Sequence, residues 1–442
     1  MLRWPLTRLH ALRDERLRAL IATAKRHSPW HADRLRSIDP DTFDPRRLAD
    51  IPPMTKADLM ANWDRIVTDR RLTFESAAGH LRHMAEHGPA HLLDGFNVVA
   101  SSGSSGQRGV VCWDRPGWLT SGLVWWRLLA GTSPALAAGE GRMAVLAIGT
   151  PAQVSSQVLR TFGPLVGSCR FFPVTLPKDE LIARLNAYQP TELFGYSHVL
   201  ADLATWTGSG LAVAPRHVIS LSEPLTAADR ATIETAFGVG VCDLYGTSET
   251  GLLAMSRPGQ AELHLVEDVA VYEPVDRHGS PAPEGTTAAS LLVTNVVNHV
   301  MPLIRYQICD EVTLLPARRD DPRHDDLRHD DAWSGRRLAP VQGRSVPPFR
   351  YPGGAVVDCS VFSVPLTAVP RIDAYQVRQT AQGADIRLRL RGDGDLDALE
   401  PLRHQVISRL RSPELPDPQV VITVVEQLDR LPSGKLPCFI SL

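Results

Sequence analysis

The first stretch of the sequence that could do chemistry is a loop of small hydroxyl residues and glycines ahead of the apolar pair Val110-Val111. It reads Ser101-Ser102-Gly103-Ser104-Ser105-Gly106-Gln107-Arg108-Gly109. Its backbone N–H groups and hydroxyls can donate hydrogen bonds to an anion, and its glycines permit close approach and positive φ angles. Such a loop suits the phosphates of a nucleotide, although Gly/Ser runs are also ordinary flexible loops.

Two later segments place aromatic and acidic side chains where apolar strands end. They read Ser222-Glu223-Pro224-Leu225 and Asp243-Leu244-Tyr245-Gly246-Thr247-Ser248-Glu249. Loops at the C-terminal ends of parallel strands hold ligands in α/β sheets. There the Tyr245 ring could stack on a base and the Glu249 carboxylate could hold Mg²⁺ near phosphates. The alternative is a Tyr-Gly turn beside a surface glutamate.

Three further candidates lie nearer the C-terminus. Asp310 closes the apolar run 302–309 and could accept hydrogen bonds from ribose hydroxyls, or could simply cap the strand. Gly343-Arg344-Ser345 lies at a change of composition. In Leu431-Pro432-Ser433-Gly434-Lys435, the lysine could neutralise charge on an attacked phosphorus and its leaving group. A lysine in a Ser-Gly turn is more often simply solvated.

Alternating strands and helices must position these residues. Apolar runs at residues 143–149, 217–222 and 239–245 predict strands, and residues 227–237 predict a helix between the last two. This alternation is typical of an α/β domain with a largely parallel sheet.

The N-terminal region is predicted to be helical. Residues 9–32 are rich in Leu, Ala and Arg and predict an amphipathic helix with no breaker before Ser28-Pro29. Thr55 follows the rigid turn Pro52-Pro53 and is expected to be the N-cap of a further helix.

The last quarter of the chain reads as a separate unit. Residues 318–331 are almost all Arg, Asp and His, which favours a solvated insertion, with a metal-binding tract as the alternative. Beyond it, a period-two run at 384–390 and a helical pattern at 398–410 indicate a compact unit. The predicted fold class is therefore α/β, with a large N-terminal domain over 1–338 and a small α+β C-terminal domain over 339–442.

The composition of the 442 residues is that of a soluble globular protein, 43% hydrophobic and 22% charged. Lys and Arg number 47 against 49 Asp and Glu, a net charge of −2 that does not indicate nucleic acid or an anionic membrane. No apolar run approaches the ~20 residues that span a bilayer. The six cysteines occur singly, without metal-ligand spacing. We therefore expect a cytoplasmic protein without structural zinc.

Taken in order, these segments resemble the motifs of the adenylate-forming superfamily, which comprises acyl-CoA ligases, luciferases and peptide-synthetase adenylation domains. The phenylacetate–CoA ligase branch is the most similar, and the likeness covers nearly the whole chain. It rests on the loop and the segments above together with Ile51-Pro52-Pro53-Met54-Thr55-Lys56, Asp58-Leu59 and Pro302-Leu303-Ile304-Arg305-Tyr306. The resemblance implies a mobile C-terminal domain of about a hundred residues that rotates between two half-reactions.

The resemblance also implies roles for residues of this chain. Lys435 would bridge the carboxylate and the α-phosphate during adenylation, and Glu249 would hold Mg²⁺. Asp310 and Arg344 would anchor the ribose. The triphosphate would be wrapped by Ser102, Gly103, Ser104, Ser105 and Gly106. The adenine would be flanked by Tyr245, Ser222, Glu223 and Pro224, in a site that includes Asp243, Gly246 and Thr247. The acid pocket would include Phe194, Gly195 and Tyr196.

The chain departs from the family pattern at three points, one of which is that the cysteines that some close relatives use for metal are not clustered here. Gln107-Arg108 stands where relatives commonly have Lys followed by Pro, so Arg108 is expected to act as the catalytic cation of the loop with different geometry. The junction reads Gly343-Arg344-Ser345-Val346-Pro347, where many relatives have acidic residues after the serine. This junction leaves the thioester-forming half-reaction open.

The resemblance therefore implies an ATP-dependent ligase that activates a small aromatic carboxylic acid and transfers it to CoA. ATP, Mg²⁺ and CoA are the implied cofactors and partners, without nucleic acid or membrane, and the oligomeric state stays open, a homodimer included. Alternative acceptors are an amine, a carrier-protein thiol or water, and an unusual oxyanion could replace the acid in specialised metabolism. From other classes, a nucleotide-binding module without chemistry and a metal sensor that uses the His/Asp repeat also stay open.

Overall fold

The structure is a computed structural model and describes residues 4–93, 95–101, 109–147, 154–165, 167–174, 176–317, 335–341, 348–369, 371–390, 399–429 and 438–442. The helices in these residues are α1 (Leu6–His27), α2 (Pro29–Arg34), α3 (Lys56–Ala61), α4 (Trp63–Ile66), α5 (Phe74–His87), α6 (Arg115–Thr132), α7 (Pro134–Ala137), α8 (Val154–Phe162), α9 (Lys178–Tyr188), α10 (Ser197–Trp206), α11 (Ala227–Phe237), α12 (Ser360–Ala368) and α13 (Leu399–Leu410), with 3₁₀ helices at Pro45–Asp50 and Gly163–Leu165. The strands are β1 (Asn97–Ala100), β2 (Val110–Trp113), β3 (Gly141–Ala147), β4 (Gly167–Pro173), β5 (Glu192–Gly195), β6 (His217–Leu221), β7 (Val241–Thr247), β8 (Gly251–Ser256), β9 (Leu263–Leu265), β10 (Ala270–Val275), β11 (Thr287–Ala288), β12 (Ser290–Asn295), β13 (Tyr306–Ile308), β14 (Val312–Thr313), β15 (Arg337–Leu338), β16 (Phe349–Arg350), β17 (Val356–Val357), β18 (Ile372–Thr380), β19 (Gly383–Leu390), β20 (Gln419–Val424) and β21 (Phe439–Ile440).

The main sheet has the strand order β15-β9-β8-β7-β6-β5-β3-β4. The pairs from β4 through β7 are parallel, and the pairs from β7 through β15 are antiparallel. Because parallel strands share a direction, the C-terminal ends of β3, β5, β6 and β7 lie at one edge of the sheet. The predicted α/β fold class is confirmed.

Alternate side chains of the central strands enter two different cores. In β3, Met143 and Val145 belong to one buried cluster, whereas Ala144 and Leu146 belong to another that contains Leu181 of α9. A strand that buries both faces needs helices on each side of the sheet. This is why the sequence of β3 is a continuous apolar run rather than an alternating one.

The remaining strands form smaller sheets. β1 pairs with β2, β11 with β14 and β16 with β17, while β10, β12 and β13 form one three-stranded sheet. The C-terminal strands form a four-stranded sheet, in the order β20-β19-β18-β21, and share a separate buried cluster with α12 and α13. Residue 338 still belongs to the main sheet through the pairing of β15 with β9. The domain boundary between 338 and 339 stays a prediction.

The predicted N-terminal helix proves to be two helices. α1 ends at His27, and Ser28 then accepts a hydrogen bond from His31 N with Pro29 in the first turn of α2. This N-cap stops one helix and starts another, so the single helix over 9–32 was wrong. Thr55 is an N-cap as predicted. None of the described helices combines the length and apolarity that crossing a membrane requires.

Candidate active site

The two ends of the candidate phosphate loop are held together beyond a strand pair. β1 and β2 pair antiparallel as far as Ala100 and Val110. Ser101 N then donates to the Gly109 carbonyl at 2.9 Å, and Gly109 N donates to Ser101 Oγ at 2.8 Å. Residues 102–108, which include every predicted triphosphate contact and Arg108, lie outside the described residues. The described part thus fixes where the loop leaves the sheet and where it returns.

A lysine and a buried glutamate meet beside these loop ends. Lys56 is the first residue of α3, where Thr55 and Asp58 form a capping box. Lys56 Nζ lies 2.8 Å from Glu249 Oε1 and donates to Ser101 Oγ at 3.2 Å. Glu249 is only 5% exposed, so the adjacent ammonium stabilises a carboxylate that has little water around it. Sequence reasoning singled out Glu249 but gave Lys56 no role.

A tight turn after β7 presents Glu249. Thr247 Oγ1 lies 2.8 Å from Thr250 Oγ1 and accepts a hydrogen bond from Thr250 N at 3.2 Å. β7 has a bulge between Tyr245 and Gly246. A side chain has no room there, because a Cβ on Gly246 would lie 2.7 Å from the Gly251 carbonyl oxygen. Gly246 and Thr247 therefore shape the turn that carries the glutamate.

Tyr245 and Asp310 come together although 65 positions separate them in the sequence. Tyr245 OH donates to Asp310 Oδ2 at 3.0 Å, and the tyrosine is 9% exposed. Asp310 is half-buried just beyond β13. Asp243 lies two residues before Tyr245 on β7, and burial raises the pKa of its carboxyl to about 6. The structure thus joins the residues that the resemblance assigns to adenine and to ribose.

The loop after β6 is fastened to the first turn of α10. Glu223 Oε2 lies 2.5 Å from His198 Nδ1, and Ser197 Oγ donates to the Pro224 carbonyl at 3.0 Å. Ser222 has a φ of +75°, a conformation that serine seldom adopts. Burial lowers the pKa of His198, but the hydrogen bond and charge of Glu223 outweigh it and raise that pKa above its usual value. The sequence gave no sign of this charged pair.

A small cleft, open to solvent, lies beyond the C-terminal ends of β3, β5 and β6. The predicted acid-pocket residues Phe194, Gly195 and Tyr196 line it, and the Phe194 ring lies 6.2 Å from that of Trp125. The rest of the described lining consists of two serines, Ser156 and Ser222, and of the aliphatic residues Val145, Leu146, Ala147, Leu159 and Leu221. This combination suits a small ligand with an apolar body.

Comparison with solved structures identifies the fold. The chain superimposes on 2-hydroxyisobutyryl-CoA ligase, in a complex with 2-HIB-AMP and CoA in the thioesterification state, with a TM-score of 0.62. That match has 17% sequence identity and covers 100% of this chain and 91% of the ligase. The chain has the fold of an adenylate-forming enzyme. TM-scores with the same ligase in its postadenylation and open states are 0.57 and 0.54, each covering 96% of this chain.

Two curated proteins match shorter stretches of this chain. Protein CapK of Staphylococcus aureus is 31% identical over 136 residues, which is 30% of this chain and 28% of CapK. Phenylacetate-coenzyme A ligase of Aromatoleum evansii is 32% identical over 128 residues, 28% of this chain and 26% of that protein. These matches therefore span little more than a quarter of each relative, and no family model matches the chain. The expected resemblance to the superfamily, and to its phenylacetate–CoA ligase branch, is confirmed.

On this adenylate-forming fold, the described residues supply part of the predicted site. Glu249 meets the loop ends, Tyr245 meets Asp310, and the cleft lies at the same edge of the sheet. Arg344, Lys435 and the insertion 318–331 lie outside the described residues. Lys56, His198 and Ser156 are the functional candidates that sequence reasoning missed. Lys56 was visible within a quoted motif, whereas the other two carried no local signal.

Glu249 fits a Mg²⁺ site that a nucleotide would complete. Mg²⁺ is usually held by one or two carboxylates, by waters and by substrate phosphates rather than by an all-protein cage. Glu249 supplies one such carboxylate beside the ends of the candidate phosphate loop.

Proposed function

We propose that this chain is an ATP-dependent, AMP-forming ligase that activates a small aromatic carboxylic acid and passes it to CoA. The observation that carries the proposal is the meeting of Lys56, Glu249 and the loop ends at the edge of the sheet where the apolar cleft opens. The adenylate-forming fold and the 32% identity over 128 residues to a phenylacetate-coenzyme A ligase support it.

Catalysis in this proposal is positioning and charge stabilisation. The acid carboxylate attacks the α-phosphate and pyrophosphate leaves, so the protein has to stabilise charge on phosphate oxygens and needs no covalent intermediate. Lys56 and Arg108 would face the phosphates from the N-terminal part, and Lys435 would bridge the carboxylate and the α-phosphate. Bound at Glu249, Mg²⁺ would neutralise charge on the pyrophosphate.

The nucleoside would lie at the Tyr245–Asp310 pair. The Tyr245 ring would pack on the adenine, and Asp310, already an acceptor, would take the ribose hydroxyls. Arg344 would support the ribose. The remaining nucleotide-binding roles follow the resemblance: Ser102, Gly103, Ser104, Ser105 and Gly106 for the triphosphate, Ser222, Glu223 and Pro224 for the adenine, and Asp243, Gly246 and Thr247 beneath them.

CoA as the acceptor is the second part of the proposal. The 32% identity over 128 residues to a phenylacetate-coenzyme A ligase, together with the fold shared with a 2-hydroxyisobutyryl-CoA ligase, supports a thioester-forming half-reaction in a chain whose junction carries Val346-Pro347. An amine or a carrier-protein thiol is the alternative acceptor.

The experiment is acid-dependent ATP–pyrophosphate exchange over a panel of aryl and short aliphatic acids, followed by product analysis with and without CoA. We expect exchange with at least one acid, and loss of that exchange in Lys435→Ala with ATP binding largely kept. Lys178→Ala is the matched control, because Lys178 is exposed and packs on Trp206, 5.2 Å from its ring. Unchanged exchange in Lys435→Ala would refute the assignment.

The same assay separates the alternatives. Binding of ATP without pyrophosphate release for any acid would identify a binding module. Exchange without a CoA thioester would point to another acceptor.

A further inference from the structure

Ser156 is a buried serine that lines the acid cleft. It is 1% exposed, and among the described residues its Oγ has no hydrogen-bond partner. Two other polar side chains of α8 are paired: Gln157 Nε2 donates to the Val98 carbonyl at 2.6 Å, and Thr161 Oγ1 donates to the Gln157 carbonyl at 2.8 Å. The hydroxyl of Ser156 instead faces the cleft.

An unpaired buried hydroxyl is unfavourable. A serine hydroxyl can donate one hydrogen bond and accept two, and burying it without a partner forfeits the bonds it would make with water. In a helix the usual remedy is a bond to a preceding carbonyl, as Thr161 makes. At Ser156 the open side is the cleft, whose other walls are largely aliphatic and aromatic. A ligand in the cleft is thus the natural source of the missing partner.

We propose that Ser156 Oγ binds a hydroxyl or amino substituent on the acid, so that the substrate class is a small hydroxy- or amino-substituted acid rather than an unsubstituted hydrocarbon acid. This inference rests on the proposed function, because it assumes that the cleft holds the acid. The apolar lining contacts the body of the acid, and Ser156 forms a hydrogen bond with its substituent. A site built to hydrogen-bond a substrate hydroxyl discriminates against the analogue that lacks it, since the buried group is then left unpaired.

The test compares matched acids in pyrophosphate exchange. Benzoate is paired with 2-, 3- and 4-hydroxybenzoate and with the aminobenzoates, and butyrate with 2- and 3-hydroxybutyrate. We expect the wild-type protein to prefer one substituted acid over its parent by about 10- to 100-fold in kcat/KM. Ser156→Ala should remove most of that preference and leave kcat/KM for the parent acid within about threefold. Ser156→Cys, which keeps the shape but bonds weakly, should fall between the two.

The control is Ser290→Ala. Ser290 is also buried, at 3% exposed, but lies on β12 in a different sheet, where its Oγ accepts a hydrogen bond from Gln307 Nε2. It should leave the preference for substituted acids unchanged. Ligand-induced shifts of the melting temperature provide a second readout, because a substituted acid should stabilise the wild type more than Ser156→Ala.

The outcomes separate this inference from the proposed function. If parent acids are used as well as substituted ones, or if Ser156→Ala keeps the preference, only water occupies this hydroxyl and the inference is wrong while the ligase assignment stands. If no acid in the panel supports exchange or shifts the melting temperature, both are overturned.

Discussion

Gly109→Ala should misplace the Glu249 carboxylate without unfolding the protein. A Cβ at position 109 would lie 2.9 Å from Glu249 Oε1 and 3.1 Å from Ser101 Oγ. The first contact is about 0.5 Å shorter than ordinary van der Waals contact. Glu249 cannot simply swing away, because it is buried and its Oε1 lies 2.8 Å from Lys56 Nζ.

The magnitude follows from that displacement. A misplacement of about 1 Å at a catalytic centre can cost about 100-fold in rate, so a shift of about half that size should lower kcat/KM for ATP by roughly tenfold. Tenfold corresponds to about 1.4 kcal/mol of transition-state stabilisation. Overpacking of a single methyl should reduce the free energy of unfolding by about 1 kcal/mol.

The assay is ATP–pyrophosphate exchange at limiting ATP, with urea unfolding measured in parallel. Gly208→Ala is the matched control, because Gly208 is exposed and a Cβ there meets nothing within 4 Å. We expect the control to behave as wild type in both measurements. A folded Gly109→Ala protein with wild-type kcat/KM would refute the placement of Glu249 in the phosphate site, and an equal loss in both variants would show that the effect is not specific.

Substitutions at three other positions follow from the described contacts. Tyr245→Phe removes the hydrogen bond to Asp310 and should raise KM for ATP about 3- to 10-fold with little change in kcat; an unchanged KM would contradict the ribose assignment. Lys56→Met leaves the buried Glu249 without its ammonium and should reduce the free energy of unfolding by about 1–3 kcal/mol, whereas Lys56→Arg should recover part of it. Burial lowers the pKa of His31 to about 3. Between pH 6.5 and pH 3, His31 is therefore protonated in the unfolded chain but neutral in the folded protein. Stability should therefore fall by up to about 1.4 kcal/mol per pH unit from pH 6.5 towards pH 3 from this group, and urea unfolding of His31→Asn at pH 7 and pH 5 should show a shallower pH dependence than the wild type.

Local signals in the sequence predicted much of the fold. The helix Ala227–Phe237 has the predicted bounds, and the strand His217–Leu221 differs from its prediction by one residue. Both carry a period or an apolar run that depends on near neighbours only. The break at Ser28-Pro29 was harder to predict, because helical sequence continues beyond it and the Ser28 cap with Pro29 in the next first turn starts a second helix at once.

The sequence predicted individual residues of the candidate site but not how they come together in space. The residue types of Glu249 and Asp310 suggested nucleotide chemistry, since acidic residues at strand ends are informative wherever they occur. That Lys56 would face Glu249 depends on how α3 lies against the turn after β7, which no local pattern encodes. Ser156 carried no signal either, because a serine becomes notable only once its burial and its missing partner are known.

One strand ties the two halves of the candidate nucleotide site together. Met54 N donates to the Arg305 carbonyl at 2.9 Å, and Gln307 N donates to the Met54 carbonyl at 2.8 Å, so the segment before α3 pairs with the start of β13. Lys56 follows Met54 by two residues, and Asp310 follows β13 by two. Lys56 and Asp310 are therefore fixed to the same strand. Any displacement of β13 would move both, so on the proposed function these two segments, about 250 positions apart in the sequence, would be positioned together around a nucleotide.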